Sequence, residues 1–363
     1  MNIGILGTRG IPNHYGGFEQ FAEYLSVGLA ERGHDVTVYN SHTHPYQEKE
    51  WNGVNIRHIY DPENKIGTAG QFIYDLLCIK DARKQKFDII LQLGYTSSSI
   101  FFWYSPKSSI LVTNMDGLEW TRSKYSKKVQ KFLEYAESLG AKMSDYLVAD
   151  SLGIQEYLKS KYALDSTYIP YGAHAVEHFE ESVLAEFGVE KYGYNMLIAR
   201  LEPENNIEMI LDGVVASKSN KPFLVIGKHE TGFGNYLKSK FTDERIQFVG
   251  AVYDIGKLNN LRAFSSLYFH GHSVGGTNPS LLEAMASNAL ICAHNNRFNS
   301  TILGNDAFYF ATSDEVAGYL DKTNKEDYQN YLAANMQKIR DIYSWPKIVD
   351  SYEELFHGLL ANK

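Results

Sequence analysis

Cysteine is scarce in this chain: Cys78 and Cys292 are the only two among 363 residues, and they lie far apart in apolar surroundings. That excludes a disulfide-built scaffold and fits buried thiols in a reducing compartment. Long apolar runs are missing too, so no stretch reaches membrane-spanning length. Met1 to Gly7 has neither a basic start nor a cleavage site and leads into a strand and a glycine loop, so a cytoplasmic chain is expected. The net charge of −8 argues against wholesale nucleic-acid binding and leaves room for a local basic patch. Short repeats, low-complexity segments and long charged blocks are absent. So is any Asp-x-Asp pair, a common means of holding a divalent ion against a diphosphate, and neither a metal nor another cofactor is expected.

What is present is an alternation of strand and helix patterns. Apolar runs predict strands at 2–6, 35–39, 55–59, 88–93, 109–113, 146–149 and 167–169, with helices at 18–31, 71–84, 127–142 and 155–162. Ile169, Pro170, Tyr171 and Gly172 mark a boundary, after which the alternation restarts. Strands are expected at 194–199, 223–226, 246–249, 267–270 and 290–293, with helices at 207–218, 255–263 and 279–286. The length suits two domains, each a parallel sheet covered on both faces, with a cleft at the carboxyl ends of the strands. A last helix over 345–360 has a pattern that suits packing on either domain.

The chain is organised around the run from Phe269 to Ala286. A short strand leads to His272, Gly275 and Gly276; Thr277 follows, Asn278 is a good N-cap and Pro279 fits the first helical position. The amides of Gly276 and Thr277, with those of Ser280 and Leu281 expected to be unpaired, make a pocket suited to a phosphate, and Glu283 lies one turn further on. The same pattern also serves as an ordinary change of direction in an α/β protein. Arg200, at the end of a strand, offers a planar fork to a diphosphate or pairs with Glu202 or Glu204. Lys228 occupies the equivalent place after the next strand.

In the first half, Gly4, Gly7 and Gly10 fit the dinucleotide fingerprint poorly, and the second strand ends in Tyr39 and Asn40 where a ribose-holding carboxylate belongs. Gly16 and Gly17 allow backbone to approach a ligand, and Glu19 either meets that ligand or complements the helix dipole. Asp116 follows a strand, where a carboxylate orients or deprotonates a hydroxyl or simply makes a turn before Gly117. Glu119 and Trp120 come next, then Arg122, Lys124, Tyr125, Lys127, Lys128, Lys131 and Phe132, which suit an anionic membrane surface or a solvated helix face. His42 with His44, and His270 with His272, have strand spacing for sharing a face but no nearby carboxylate or cysteine to complete a metal site.

Together these motifs resemble the retaining glycosyltransferases of family 4, which have the two-domain GT-B fold, and the resemblance spans the chain. Arg200 with Leu201 looks like the diphosphate-contacting arginine, Val249 and Gly250 like the base-contacting turn, and Gly276 to Ala286 like the glycine loop with its ribose-binding glutamate, Glu283. Trp345 looks like the start of the terminal helix that returns to the first domain. Gly7 to Pro12, Tyr15 to Glu19, Asp116 to Trp120 and His272 to Glu283 look like a bacterial subgroup that includes rhamnosyltransferases of surface-polysaccharide assembly. The resemblance implies an acceptor-side domain over 1–171 joined by 345–363, and a nucleotide-sugar-binding domain over 172–344. It implies a dTDP- or UDP-type sugar nucleotide and a lipid-linked saccharide acceptor, while peripheral contact with the cytoplasmic membrane face is the expectation from the basic and aromatic run after Trp120. Asp116, Arg200 and Glu283 are the expected catalytic residues. Donor contacts are expected from Gly16, Gly17, Arg200, Lys228, Val249, Gly250, His272, Gly276, Thr277, Asn278, Ser280 and Glu283, and acceptor contacts from Glu19, Asp116, Glu119 and Trp120. Two departures stand out. Gly275 occupies the place of a second glutamate and Asn205 that of a lysine, with Lys228, Arg9 or His272 as candidates to rebuild the grip. The alternatives are a UDP-glucose or GDP-mannose donor, a sugar-nucleotide epimerase, or a non-catalytic nucleotide-binding module.

Overall fold

The computed structural model describes residues 1–363 except Tyr15, Asp116, Ser123, Lys124, Val274 and Lys363. The chain divides into two units, Met1–Gly172 with Trp345–Lys363, and Ala173–Ser344.

The first unit runs β1 (Asn2–Leu6), α1 (Gly17–Glu31), β2 (Asp35–Ser41), β3 (Glu50–Trp51), β4 (Val54–Ile59), α2 (Glu63–Ile66) and α3 (Ala69–Ala82). It continues through β5 (Ile89–Leu93), β6 (Ile110–Asn114), α4 (Lys127–Met143), β7 (Tyr146–Ala149), α5 (Leu152–Tyr162) and β8 (Thr167–Tyr168). Its sheet has eight strands in the order β3-β4-β2-β1-β5-β6-β7-β8. Strands β1, β5 and β6 are almost wholly buried, as their unbroken apolar runs require of parallel strands covered on both faces. The sheet is not parallel throughout, as the alternation had implied. Strands β3 and β4 pair antiparallel, because Asn52 (φ +44°) and Gly53 (φ +80°) form a two-residue hairpin turn.

The second unit follows with β9 (Asn195–Ile198), α6 (Ile207–Ala216), β10 (Phe223–Ile226), α7 (Gly232–Lys240), β11 (Ile246–Gly250), α8 (Ile255–Phe264), β12 (Tyr268–His270) and α9 (Pro279–Ala286). Then come β13 (Ile291–His294), α10 (Arg297–Leu303), β14 (Phe308–Phe310), α11 (Ser313–Lys322) and α12 (Gln329–Asp341). Six parallel strands lie in the order β11-β10-β9-β12-β13-β14. Leu197, Phe223, Val225, Phe269, Cys292 and Phe310 form the core on one face, closed by Ile210, Val214 and Val316.

Helix α13 (Trp345–Ala361) belongs to the first unit. Its buried stripe of Trp345, Ile348, Val349, Tyr352 and Phe356 follows helical spacing and packs on α1. The Phe21 ring lies 5.5 Å from that of Tyr352 and 5.9 Å from that of Trp345. Asn114 donates to the Tyr352 hydroxyl at 3.1 Å.

Candidate functional site

In the second unit the strand order reverses direction between β9 and β12, and such a reversal leaves a crevice outside the carboxyl ends of the strands. The loops that leave these two neighbours carry the candidate residues. They are tied together: Asn206 donates to the Gly271 carbonyl at 2.7 Å, and the Ser273 amide and hydroxyl donate to the Glu204 carbonyl at 3.2 and 2.7 Å. Gly271 permits this approach, since a Cβ there would lie 2.0 Å from the Asn205 carbonyl oxygen. Topology thus brings the Arg200 loop beside the glycine loop, although some 70 residues separate them in sequence.

Arg200 follows β9 and is exposed; among the described residues its side chain forms no hydrogen bond or ion pair, so the alternative of a pair with Glu202 or Glu204 is not realised. Its carbonyl instead accepts from the Asn205 side chain at 2.7 Å, which shapes the loop. Lys228 is likewise exposed without such a partner, one strand over, after Gly227, whose φ of +156° lets it lie against the Ala199 carbonyl. Val249 and Gly250 end the neighbouring β11, and the Gly250 carbonyl accepts from the Gly227 amide at 2.9 Å.

The glycine loop corrects one expectation. Asn278 caps α9 with its Oδ1 accepting from the Ser280 amide at 2.9 Å, and its carbonyl accepts from Leu281 at 3.0 Å. Both amides expected to be free are therefore satisfied inside the helix start, because an N-cap side chain bonds its own first turn. The Ser280 hydroxyl lies 3.0 Å from that of Tyr268. Gly276 and the buried Thr277 occupy the loop itself, and Gly275, at φ +130°, faces open space.

Glu283 is 24% exposed and anchored through Oε2, which accepts from Arg262 Nη2 at 2.6 Å; Arg262, on α8, is only 1% exposed. Its Oε1 has no hydrogen-bond partner among the described residues. His272 stacks on His270, ring centroids 4.3 Å apart and 16° from parallel. His270 is buried with both ring nitrogens lacking a hydrogen-bond partner among the described residues, and burial, reinforced by His272 and Arg262, holds its pKa well below the usual histidine value, so it is neutral.

In the first unit the loop after β1 is fastened by Glu19, a buried carboxylate that accepts from the Arg9 amide at 2.9 Å and the Thr8 hydroxyl at 3.3 Å. Gly16 caps α1 and Gly17 begins it, its carbonyl accepting from the Tyr171 hydroxyl. The Arg9 guanidinium forks onto Glu63 at 2.9 and 3.0 Å, so Arg9 is already engaged within this unit. Beside it opens a cavity of about 310 Å³ lined by Arg9, His14, Glu19, Thr43, His44 and Glu63 among others. Asp116 lies outside the described residues. Glu119 pairs with Arg122 at 2.7 Å, and the Trp120 indole donates to the Tyr157 hydroxyl at 3.2 Å with Lys161 4.9 Å from its ring.

Two whole-chain likenesses decide the architecture. Sucrose-phosphate synthase from Thermosynechococcus elongatus superposes with a TM-score of 0.80 over 100% of both chains at 13% identity. HepE of Anabaena, solved in complex with UDP and glucose, gives 0.76 over 98% of this chain and 99% of its own at 14% identity. The fold is GT-B. A trehalose 6-phosphate synthase from Burkholderia multivorans shares this GT-B fold, with a TM-score of 0.71, 11% identity and coverage of 99% and 97%. Residues 1–174 match a family described as "Domain of unknown function (DUF1972)". No curated protein sequence matches the chain.

Sequence reading of this GT-B chain missed Arg262 and Glu63, and it weighed His270 only as half of a metal-binding pair. Arg262 alone left a signal, an arginine on a helix between Leu258, Leu261 and Phe264 whose charge demands a buried partner.

Proposed function

We propose that this chain is a retaining glycosyltransferase that moves L-rhamnose from dTDP-rhamnose to a lipid-linked saccharide in surface-polysaccharide assembly, without a metal ion. The observation that carries the reading is the pair of cations, Arg200 and Lys228, whose side chains make no hydrogen bond or ion pair among the described residues, at the carboxyl ends of adjacent strands beside the glycine loop. A diphosphate supplies the negative charge such cations match, and they neutralise it as it leaves. Glu283, held by Arg262, offers its free Oε1 to the ribose hydroxyls. Val249 and Gly250 face the base, while His272, Gly276, Thr277, Asn278 and Ser280 frame the phosphates.

The first unit is the acceptor side, with Gly16, Gly17, Glu19, Asp116, Glu119 and Trp120 bounding the acceptor and the cavity beside Arg9 taking its polar part. In a front-face transfer the bond from the anomeric carbon to the phosphate oxygen breaks as the bond to the acceptor oxygen forms on the same face. The departing phosphate takes the acceptor proton, so Asp116 orients the hydroxyl. The lysines of α4 suit contact with an anionic membrane face.

Incubation with a panel of sugar nucleotides and a lipid-linked saccharide extract tests this. Transfer from dTDP-rhamnose is expected, and folded protein that neither transfers nor hydrolyses any donor overturns the reading. Arg200→Ala is expected to weaken nucleotide binding and turnover together. A UDP-linked donor is the second reading, favoured by the likeness to HepE, which was solved with UDP and with UDP-glucose.

A further inference from the structure

Where α13 meets the turn after α1, three side chains that play no part in glycosyl transfer come together. Glu353 and His357 stand one helical turn apart on α13 and so share a face. His34 reaches them from the segment between α1 and β2. His34 Nε2 lies 2.7 Å from Glu353 Oε1, and the rings of His34 and His357 are 5.8 Å apart. One ligand atom from each residue lies within 4.8 Å of the other two, and among the described residues no other group of three His, Cys, Asp or Glu side chains is so gathered.

The surrounding groups orient the cluster. Arg32 Nε lies 3.4 Å from Glu353 Oε2 and its guanidinium pairs with Asp350, so Oε1 is the oxygen left facing His34. The Met1 amine is 3.3 Å from His34 Nδ1, on the side of the ring away from Glu353. His34 and Glu353 are half-buried and His357 is exposed, which leaves a route for an ion and a water as fourth ligand.

We propose that His34, Glu353 and His357 form a zinc site that fastens α13 to the end of α1. Two imidazoles and a carboxylate suit zinc, whereas magnesium and calcium prefer all-oxygen sets. Tetrahedral ligands at zinc distances lie roughly 3.3 Å from one another. The cluster brackets that spacing, so side-chain rotation closes it. Because the ligands must be deprotonated to bind zinc, binding weakens in acid.

The test uses the full chain, stripped by a chelator and titrated with zinc against a competing chromophoric chelator, with thermal unfolding in parallel. Wild type is expected to retain one zinc per chain and to melt at a higher temperature with zinc but not with magnesium. His357→Ala removes an exposed side chain; it is expected to keep the metal-free melting temperature and to lose zinc affinity by about tenfold or more. His178→Ala, at an exposed histidine of the second unit, is expected to bind zinc as wild type does. Wild type that retains no zinc overturns the proposal. So does wild-type zinc affinity in both His357→Ala and Glu353→Gln, which would place the ion elsewhere. None of these readouts involves sugar transfer, so the outcome stands apart from the proposed reaction.

Discussion

At Asp75, burial outweighs every neighbouring charge. Desolvation pushes its carboxyl up to about 7, against the Ser97 hydroxyl that donates to it at 2.6 Å and against the field of Arg9. With the folded value above the unfolded one, the folded chain binds the extra proton, so the contribution is full below the unfolded pKa and is lost as pH rises through about 7. The first unit is therefore expected to lose stability between about pH 4 and about pH 7, with Asp75→Asn flattening that slope in denaturant titrations. Lys325 is the opposite case in the second unit. Burial lowers its ammonium to about 7 while Nζ donates to the Ala263 and Ser265 carbonyls at 2.6 and 3.2 Å. The unfolded chain binds more protons above that pH, so this unit gains stability as pH rises past about 7, and Lys325→Met removes the gain. Arg262→Met strips Glu283 of its anchor. It is expected to cost roughly 1–3 kcal/mol in the second unit's stability and to weaken nucleotide binding, read by calorimetry, without itself touching the donor.

Among the elements, the start of α13 packs closely on the segment that follows β8, where a side chain is missing. A Cβ at Gly172 would lie 2.5 Å from the Trp345 ring, so Gly172→Ala is expected to cost roughly 1–3 kcal/mol by overpacking, measured by chemical denaturation. Most β-strands of both units were legible because buried parallel strands carry apolar runs, and α9 because Asn278 and Pro279 announce its start; β3 and β14, of two and three residues, are too short to carry such a run. The β3–β4 hairpin was legible in principle from Asn52-Gly53, a strong two-residue turn signal. It was lost among longer alternating segments. The Ser280 and Leu281 amides were misjudged because the side chain and carbonyl of the Asn278 cap accept from them, a competition that a motif for phosphate binding leaves out.

Over the whole molecule, the chain builds the first unit from both ends of the sequence and the second from its middle. Phe356→Ala, in the buried stripe of α13, is expected to destabilise the first unit by about 3–5 kcal/mol. Hydrogen exchange should quicken at β1, β5 and β6 while the strands of the second unit keep their protection. The residue sequence by itself determined the two Rossmann-like alternations, the glycine loops and the place of Arg200 after a strand, because periodicity and capping act over a few residues. Only the tertiary structure decided which loops become neighbours, which unit takes the last helix, and which partners hold Glu283, Glu19 and Arg9. Those outcomes depend on strand order and on charges that burial forces to find one another, and neither is written in any local stretch of the chain.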